Sequence, residues 1–236
     1  MSILEKLNDR QRKAAEKIEG ALLILAGAGS GKTRTITYRI AHMIQELGIS
    51  PYKILAVTFT NKAAKEMKER VEDLVGEDGR RTMVSTFHSF GVRLLRTYGD
   101  RLGYGANFTI YDADDQKRVV KGIMKELVVK DKNLTEGMVV SLISKLKEEE
   151  ISADEYEKSE NKYNMNAVVV AEIYRRYNIT LKNNNGMDFS DILINTAKLL
   201  EIPDILNKVQ DKFRYIMVDE YQDTNNIQYK IINKIA

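Results

Sequence analysis

The segment Ala26-Gly27-Ala28-Gly29-Ser30-Gly31-Lys32-Thr33 constrains this chain more than any other stretch. It follows the apolar run Ala21 to Leu25, which reads as a buried strand, and it opens a helical pattern from Lys32 to Leu47. A strand, a glycine-rich turn and a helix in that order make a phosphate-binding loop. The glycines let the backbone curl until its amide N–H groups converge, and the helix N-terminus adds the positive end of its dipole. Lys32 would reach the β- and γ-phosphates, and Thr33 would offer its hydroxyl to Mg²⁺. Ala26 stands where such a loop usually begins with glycine.

A second segment, Asp219-Glu220-Tyr221-Gln222-Asp223, ends the apolar run Tyr215-Ile216-Met217-Val218. One of its two adjacent carboxylates can hold a hydrated Mg²⁺ while the other orients a water as general base. Alone, an acidic pair after an apolar strand reads as a solvated strand end or a helix N-cap. The loop upstream turns the reading towards binding and hydrolysis of a nucleoside triphosphate.

Further motifs lie between and before these two. Leu7 to Ala14 is a short helical stretch ahead of the loop. Ile54 to Phe59 is a strand that runs into Thr58-Phe59-Thr60-Asn61-Lys62-Ala63-Ala64 and a helix to Leu74. Met83-Val84-Ser85 is a brief strand leading into Thr86-Phe87-His88-Ser89-Phe90. With these residues in this order, and Asp-Glu-Tyr-Gln-Asp-Thr-Asn at 219–225, the chain resembles the N-terminal part of a superfamily 1 DNA helicase of the UvrD/PcrA/Rep type.

The resemblance implies roles. Gln11 would read the adenine edge and Arg34 would lie against the adenine; Ala26, Gly27, Ala28, Gly29, Ser30 and Gly31 would surround the phosphates. Lys32 and Thr33 keep the roles argued above, Asp219 would hold the Mg²⁺ shell, and Glu220 would activate the attacking water. Phe59, Asn61, Thr86 and His88 match positions that contact single-stranded DNA. ATP and Mg²⁺ are the implied cofactors. Single-stranded DNA and its junctions with duplex are the implied partners. Hydrolysis coupled to translocation and unwinding is the implied activity, with a cytoplasmic location at the nucleoid during action on DNA. The number of copies is left open.

Physical chemistry supports the DNA positions less tightly. Phe59 ends a strand before a helix, so its ring can stand clear of the sheet edge and stack on a base, worth about 1–3 kcal/mol. Without the resemblance it reads first as a core aromatic, and His88 as a structural hydrogen bonder. Thr60 or Asn61 would cap the following helix, whose N-terminus can receive a phosphate. His42 carries no functional signal.

Composition bounds these readings. At 236 residues and 43% hydrophobic content the chain can build a real core. It has no apolar run of membrane-spanning length, and Met1 to Lys17 is charged throughout, unlike a secretory signal. Zero cysteines exclude disulfides and thiolate chemistry, and two distant histidines offer no zinc site. A soluble intracellular protein is the expectation. Residues 1–110 carry 18 Lys/Arg against 12 Asp/Glu, whereas residues 111–236 carry 19 against 22. The positive excess lies with the proposed DNA motifs and would attract backbone phosphates in a salt-dependent way.

The expected fold class is α/β: a RecA-like parallel sheet around the phosphate loop, flanked by helices, with an all-helical inserted subdomain. Residues 1–110 and 187–236 would form the ATP-binding domain and 111–186 the insertion. Within the insertion, Val119, Val120, Ile123, Met124, Leu127 and Val128 make one apolar face and Met138, Val139, Leu142, Ile143 and Leu146 another. Residues 155–166 read as a loop. A helix from about Asn166 to Leu181 stops at Asn183-Asn184-Asn185-Gly186, and Asp188 caps a helix with Phe189, Ile192, Leu193, Thr196, Leu199 and Leu200 on one side.

The chain stops at Ala236, one helix after the acidic motif. The resemblance implies a further strand between strands 21–26 and 214–219, and a second RecA-like domain whose arginines complete the cleft. The missing C-terminal helicase domains of the same protein are therefore expected partners. The alternative for the isolated piece is a nucleotide- and DNA-binding module without turnover. Strands 21–26 and 214–219 would then pair directly, face another copy or solvent, or leave the fold marginal.

Overall fold

The computed structural model describes residues 2–27, 29–131, 133–159 and 165–236. Ala28, assigned above to the phosphate loop, lies outside them. The helices are α1 (Asp9–Glu16), α2 (Lys32–Gln45), α3 (Asn61–Val75), α4 (Glu77–Arg81), α5 (Phe87–Tyr98), α6 (Ala113–Glu126), α7 (Glu136–Glu148), α8 (Ala153–Ser159), α9 (Met165–Asn183), α10 (Phe189–Leu199), α11 (Pro203–Lys212) and α12 (Asn226–Ile235). The strands are β1 (Ile54–Thr58), β2 (Met83–Thr86), β3 (Thr109–Ile110), β4 (Gly186–Met187) and β5 (Tyr215–Val218). The chain divides into two compact units: Met1–Phe90 with Leu206–Thr224 and Ile232–Ala236, and Gly91–Ile205 with Asn225–Ile231.

The first unit is built on a parallel sheet of order β2-β1-β5. Every residue of β1, Ile-Leu-Ala-Val-Thr, is buried, as a central parallel strand covered on both faces requires. Its core joins Ile54 and Ala56 to Ile36, Ile40, Met43 and Ile44 of α2, Met67 and Val71 of α3, and Met217 of β5. Thr60 caps α3 by accepting from the Ala63 amide at 3.1 Å. The register sets Thr58 beside Thr86 and Val57 beside Val218, so all three strands end at one sheet edge. In parallel sheets that carboxyl edge is where ligand-binding residues gather.

One expectation fails: Ala21 to Leu25 is not a strand. The segment joins no ladder, and Leu22, Leu23 and Leu25 are 41%, 64% and 86% exposed. Among the described residues β5 pairs only with β1, and this run does not dock on its open edge. A single apolar run cannot satisfy its own backbone in β geometry and remains solvated until a neighbour supplies partners. Of the three arrangements expected, direct pairing with 214–219 does not occur and the run faces solvent.

Among the described residues the regular structure of the second unit is helical apart from the short β3–β4 parallel pair. Val120 and Ile123 of α6, Val139, Ile143 and Leu146 of α7, and Val170, Ile173, Tyr174, Tyr177 and Leu181 of α9 form its core. Three residues read as core are exposed instead: Val128 (68%), Met138 (58%) and Phe189 (52%). Val128 sits past the end of α6 with φ +51°, and the turn rotates it off the apolar face. Met138 lies in the first turn of α7 and Phe189 at the first position of α10, where a residue is not yet covered by a following turn.

The loop read over 155–166 is also corrected, because Ala153–Ser159 is helical. Its start is a reciprocal cap: the Glu155 amide donates to Ser152 Oγ at 3.2 Å and the Ser152 amide to Glu155 Oε2 at 2.8 Å. Ser-Ala-Asp-Glu is a capping-box sequence, a signal the pattern reading passed over. Residues 160–164 lie outside the described residues. Asp188 caps α10 as expected, accepting from the Asp191 amide at 2.8 Å.

Unexpected from sequence is a buried ionic cluster in this unit. Lys147 Nζ lies 2.7 Å from both Asp188 Oδ2 and Asp191 Oδ1, and the Tyr177 hydroxyl donates to Asp188 Oδ2 at 2.9 Å. Lys147 lies in the last turn of α7, and the fold buries it to 3% exposure.

Candidate nucleotide and nucleic-acid site

Gly31 is the N-cap of α2 at φ +85°, and a Cβ there would meet Gln11 Nε2 at 2.8 Å. The positive φ is what calls for glycine, since the Gln11 amide is the end of a flexible side chain and can swing aside. No side chain caps this helix, so its first amides are left to point at an anion in front of the loop. Lys32 and Thr33 open the helix and face the carboxyl edge of β5. Thr33 Oγ1 donates to Asp219 Oδ2 at 3.0 Å, joining residues 186 positions apart. Lys32 Nζ donates to the Ala26 carbonyl at 3.3 Å and lies 3.5 Å from Glu220 Oε2.

Two hard oxygens, the Thr33 hydroxyl and the buried Asp219 carboxylate, therefore stand together. Among the described residues no three His, Cys, Asp or Glu side chains form a metal cluster. Two protein oxygens completed by phosphate and water are the pattern Mg²⁺ prefers, so these residues fit that ion.

Glu220 adopts left-handed backbone geometry at φ +51°, ψ +45°, an uncommon state for a residue with a side chain. Its amide donates to Asp219 Oδ1 at 3.1 Å. The Gln222 amide, offset by desolvation and assisted by the Lys32 ammonium, holds the Glu220 carboxyl below the usual carboxylate range. The group is thus ionised at neutral pH and able to accept a proton.

Gln11 reaches the loop: its Nε2 donates to the Ser30 carbonyl at 2.9 Å, while its Oε1 accepts from the Asn8 amide at 3.2 Å. Arg34 donates to the Lys6 carbonyl at 2.8 Å and sits 5.4 Å from the Tyr38 ring centroid. Gly27, Gly29 and Ser30 are exposed in the loop, with Gly29 at φ +73°. The residues expected around adenine and phosphates are brought to one end of α2.

The four residues expected to contact DNA lie where β1 and β2 end. Phe59 follows β1, half-buried, with its ring centroid 5.7 Å from that of Phe87 at 60°. Asn61 is exposed at the start of α3, and His88 is half-buried near the start of α5. Thr86 is 6% exposed, and its hydroxyl donates to Ser89 Oγ at 3.0 Å and accepts from the Ser89 amide at 3.1 Å. Thr86 therefore acts locally as a cap on α5, while Phe59 and Asn61 present accessible surface.

The residue that motif reading left without a role is Gln222, whose amide touches Glu220; its position inside the acidic motif was the available signal.

Comparison with known proteins identifies the family. The chain is 46% identical over all 236 residues to the ATP-dependent DNA helicase PcrA of Staphylococcus epidermidis, and 45% identical to that of Staphylococcus aureus. The match covers 100% of this chain and 32% of each relative, so the chain spans about a third of their length. Residues 7–236 match the model of the UvrD/REP helicase N-terminal domain. Because that match spans nearly the whole chain, the chain belongs to the UvrD/REP helicase N-terminal domain family.

Proposed function

We propose that this chain is the ATP- and single-stranded-DNA-binding N-terminal part of an ATP-dependent DNA helicase, in which ATP hydrolysis drives translocation and duplex unwinding. The observation that carries the reading is the convergence of Lys32, Thr33, Asp219 and Glu220, from two motifs far apart in sequence, within 3.5 Å of one another in pairs. The relatives' printed names, ATP-dependent DNA helicase, support the same reading.

In this proposal residues 1–110 with 187–236 serve as the ATP-binding domain and 111–186 as a helical insertion. Gln11 and Arg34 recognise adenine, the loop from Ala26 to Gly31 and the Lys32 ammonium bind phosphates, and Glu220 accepts the proton of the attacking water. Thr33 and Asp219 would hold Mg²⁺, which when bound neutralises phosphate charge. Phe59 stacks on a base and Asn61, Thr86 and His88 line the strand's path. The partners are single-stranded DNA, its junctions with duplex, and C-terminal domains of the same protein. A cytoplasmic location, at the nucleoid during action on DNA, belongs to the same proposal; among the described residues no helix is long and apolar enough to cross a membrane.

A second reading applies to this stretch of chain by itself: a binding module without turnover. It is favoured by the solvated run Ala21 to Leu25, which leaves the phosphate loop unsupported by a sheet on that side. Titration of a fluorescent ATP analogue with Mg²⁺, alongside a DNA-stimulated ATPase assay, separates the two. Binding without hydrolysis supports the module. Binding lost in Lys32→Ala supports the site, and binding unchanged in that variant would overturn it.

A further inference from the structure

Glu220 Oε2 has two suitors. Gln222 Nε2 donates to it at 2.5 Å, and Lys32 Nζ lies 3.5 Å away. The same Gln222 amide reaches Asp223 Oδ2 at 3.3 Å, so its NH₂ is shared between the two carboxylates of the turn. The two contacts to Glu220 differ in what a nucleotide does to them. A polyphosphate competes directly for the Lys32 ammonium, because it offers more negative charge than one carboxylate. It competes far less for the neutral Gln222 amide, which touches the same Glu220 oxygen but carries no net charge.

Glu220 is also committed to its position by its backbone. Its left-handed geometry and the bond from its amide to Asp219 Oδ1 fix the direction in which the side chain leaves the chain. From that fixed direction Glu220 Oε2 meets both groups at once, the Gln222 amide at 2.5 Å and the Lys32 ammonium at 3.5 Å.

Resting on the nucleotide reading above, we propose that Gln222 is a positioning residue. It anchors the Glu220 carboxylate on the acidic turn, so that the phosphate lysine is released to an incoming nucleotide while the carboxylate stays at the edge of β5. Without the anchor, Glu220 and Lys32 neutralise each other and the nucleotide must break that pair before it can bind. Both side chains are partly exposed, 23% for Lys32 and 41% for Glu220, so the effect is modest: a few-fold in affinity.

The test is a double-mutant cycle on this chain, read by titration with a fluorescent ATP analogue and Mg²⁺, with amide spectroscopy as a second measurement. Gln222→Ala is expected to weaken nucleotide binding about three- to tenfold, since the carboxylate turns fully onto Lys32. Glu220→Ala is expected to tighten it, and in that background Gln222→Ala has no further effect. An equal loss in both backgrounds would show that Gln222 acts on the fold and would overturn the proposal, as would no loss in either. In the nucleotide-free chain, the Gln222 side-chain amide protons, assigned by their disappearance in Gln222→Ala, should resonate downfield of free glutamine and move upfield in Glu220→Ala. Resonances at the free-glutamine position in the unaltered chain would overturn it. Failure of the unaltered chain to bind nucleotide would overturn the nucleotide reading and the proposal with it. That failure is told apart by the amide resonances, which read the Gln222–Glu220 contact with no nucleotide present.

Discussion

Replacing Lys147 by methionine isolates the energetics of the buried ionic cluster. Met is close in length and apolar, so the packing stem is kept while the charge is removed. Lys147 and Asp188 side chains are 2% and 3% exposed and Asp191 is 17% exposed, so the variant leaves two carboxylates close together with no cation. Breaking a buried pair by removing one partner costs about 3–5 kcal/mol. That is a large fraction of the total stability of a typical domain.

The pH dependence follows from Asp191. Burial raises its carboxyl above the ordinary value; the Lys147 ammonium pulls it down and the Asp188 carboxylate pushes it up. A carboxyl raised in the folded state binds its proton more tightly there than in the unfolded chain. Its stabilising contribution is therefore complete below the unfolded value and is lost as pH rises through the folded one. Removing Lys147 removes the downward pull and widens that window. The tyrosines facing the cluster stay neutral throughout: burial pushes Tyr174 up to about 12 and Tyr177 further. Urea unfolding followed by far-ultraviolet circular dichroism at pH 8 and pH 5 reads both effects. The expected loss is about 3–5 kcal/mol at pH 8 and smaller at pH 5. Adding Asp188→Asn and Asp191→Asn to Lys147→Met should recover part of it. A loss under about 1 kcal/mol at pH 8, or one that does not shrink at pH 5, would refute the argument.

Leu23→Ser and Leu25→Ser should each change stability by less than about 0.5 kcal/mol in the same assay, because both side chains already face solvent; a loss typical of a core leucine would restore the strand. Phe59→Ala should weaken single-strand binding by about 1–3 kcal/mol without changing the slope of affinity against salt, and fluorescence anisotropy at several salt concentrations reads both. Loss of fold stability with unchanged DNA affinity would assign Phe59 to its contact with Phe87 alone. In the full-length helicase proposed above, Glu220→Gln should keep nucleotide binding and abolish turnover, measured by phosphate release, since an amide cannot take the proton.

Features encoded by near neighbours were legible in the sequence. The caps at Thr60 and Asp188, the helix opening at Lys32 and the strands β1, β2 and β5 depend on local pattern, turn chemistry or helix termini, and each forms where its residues indicate. The capping box at Ser152 was equally local and was outweighed by the weak apolar pattern after it. Tertiary structure decided what depends on a partner distant in the chain. Ala21 to Leu25 carries the composition of a strand, but a strand exists only when a neighbour accepts its backbone bonds, and among the described residues no strand pairs with it. Lys147 has the sequence of a solvated helix end, and its burial is set by Asp188 and Asp191, 41 and 44 residues on. Thr33 meets Asp219 across 186 residues. Sequence specifies which groups are available for chemistry; packing decides which of them meet, as where α2, packed against β1, carries Thr33 to Asp219 at the end of β5.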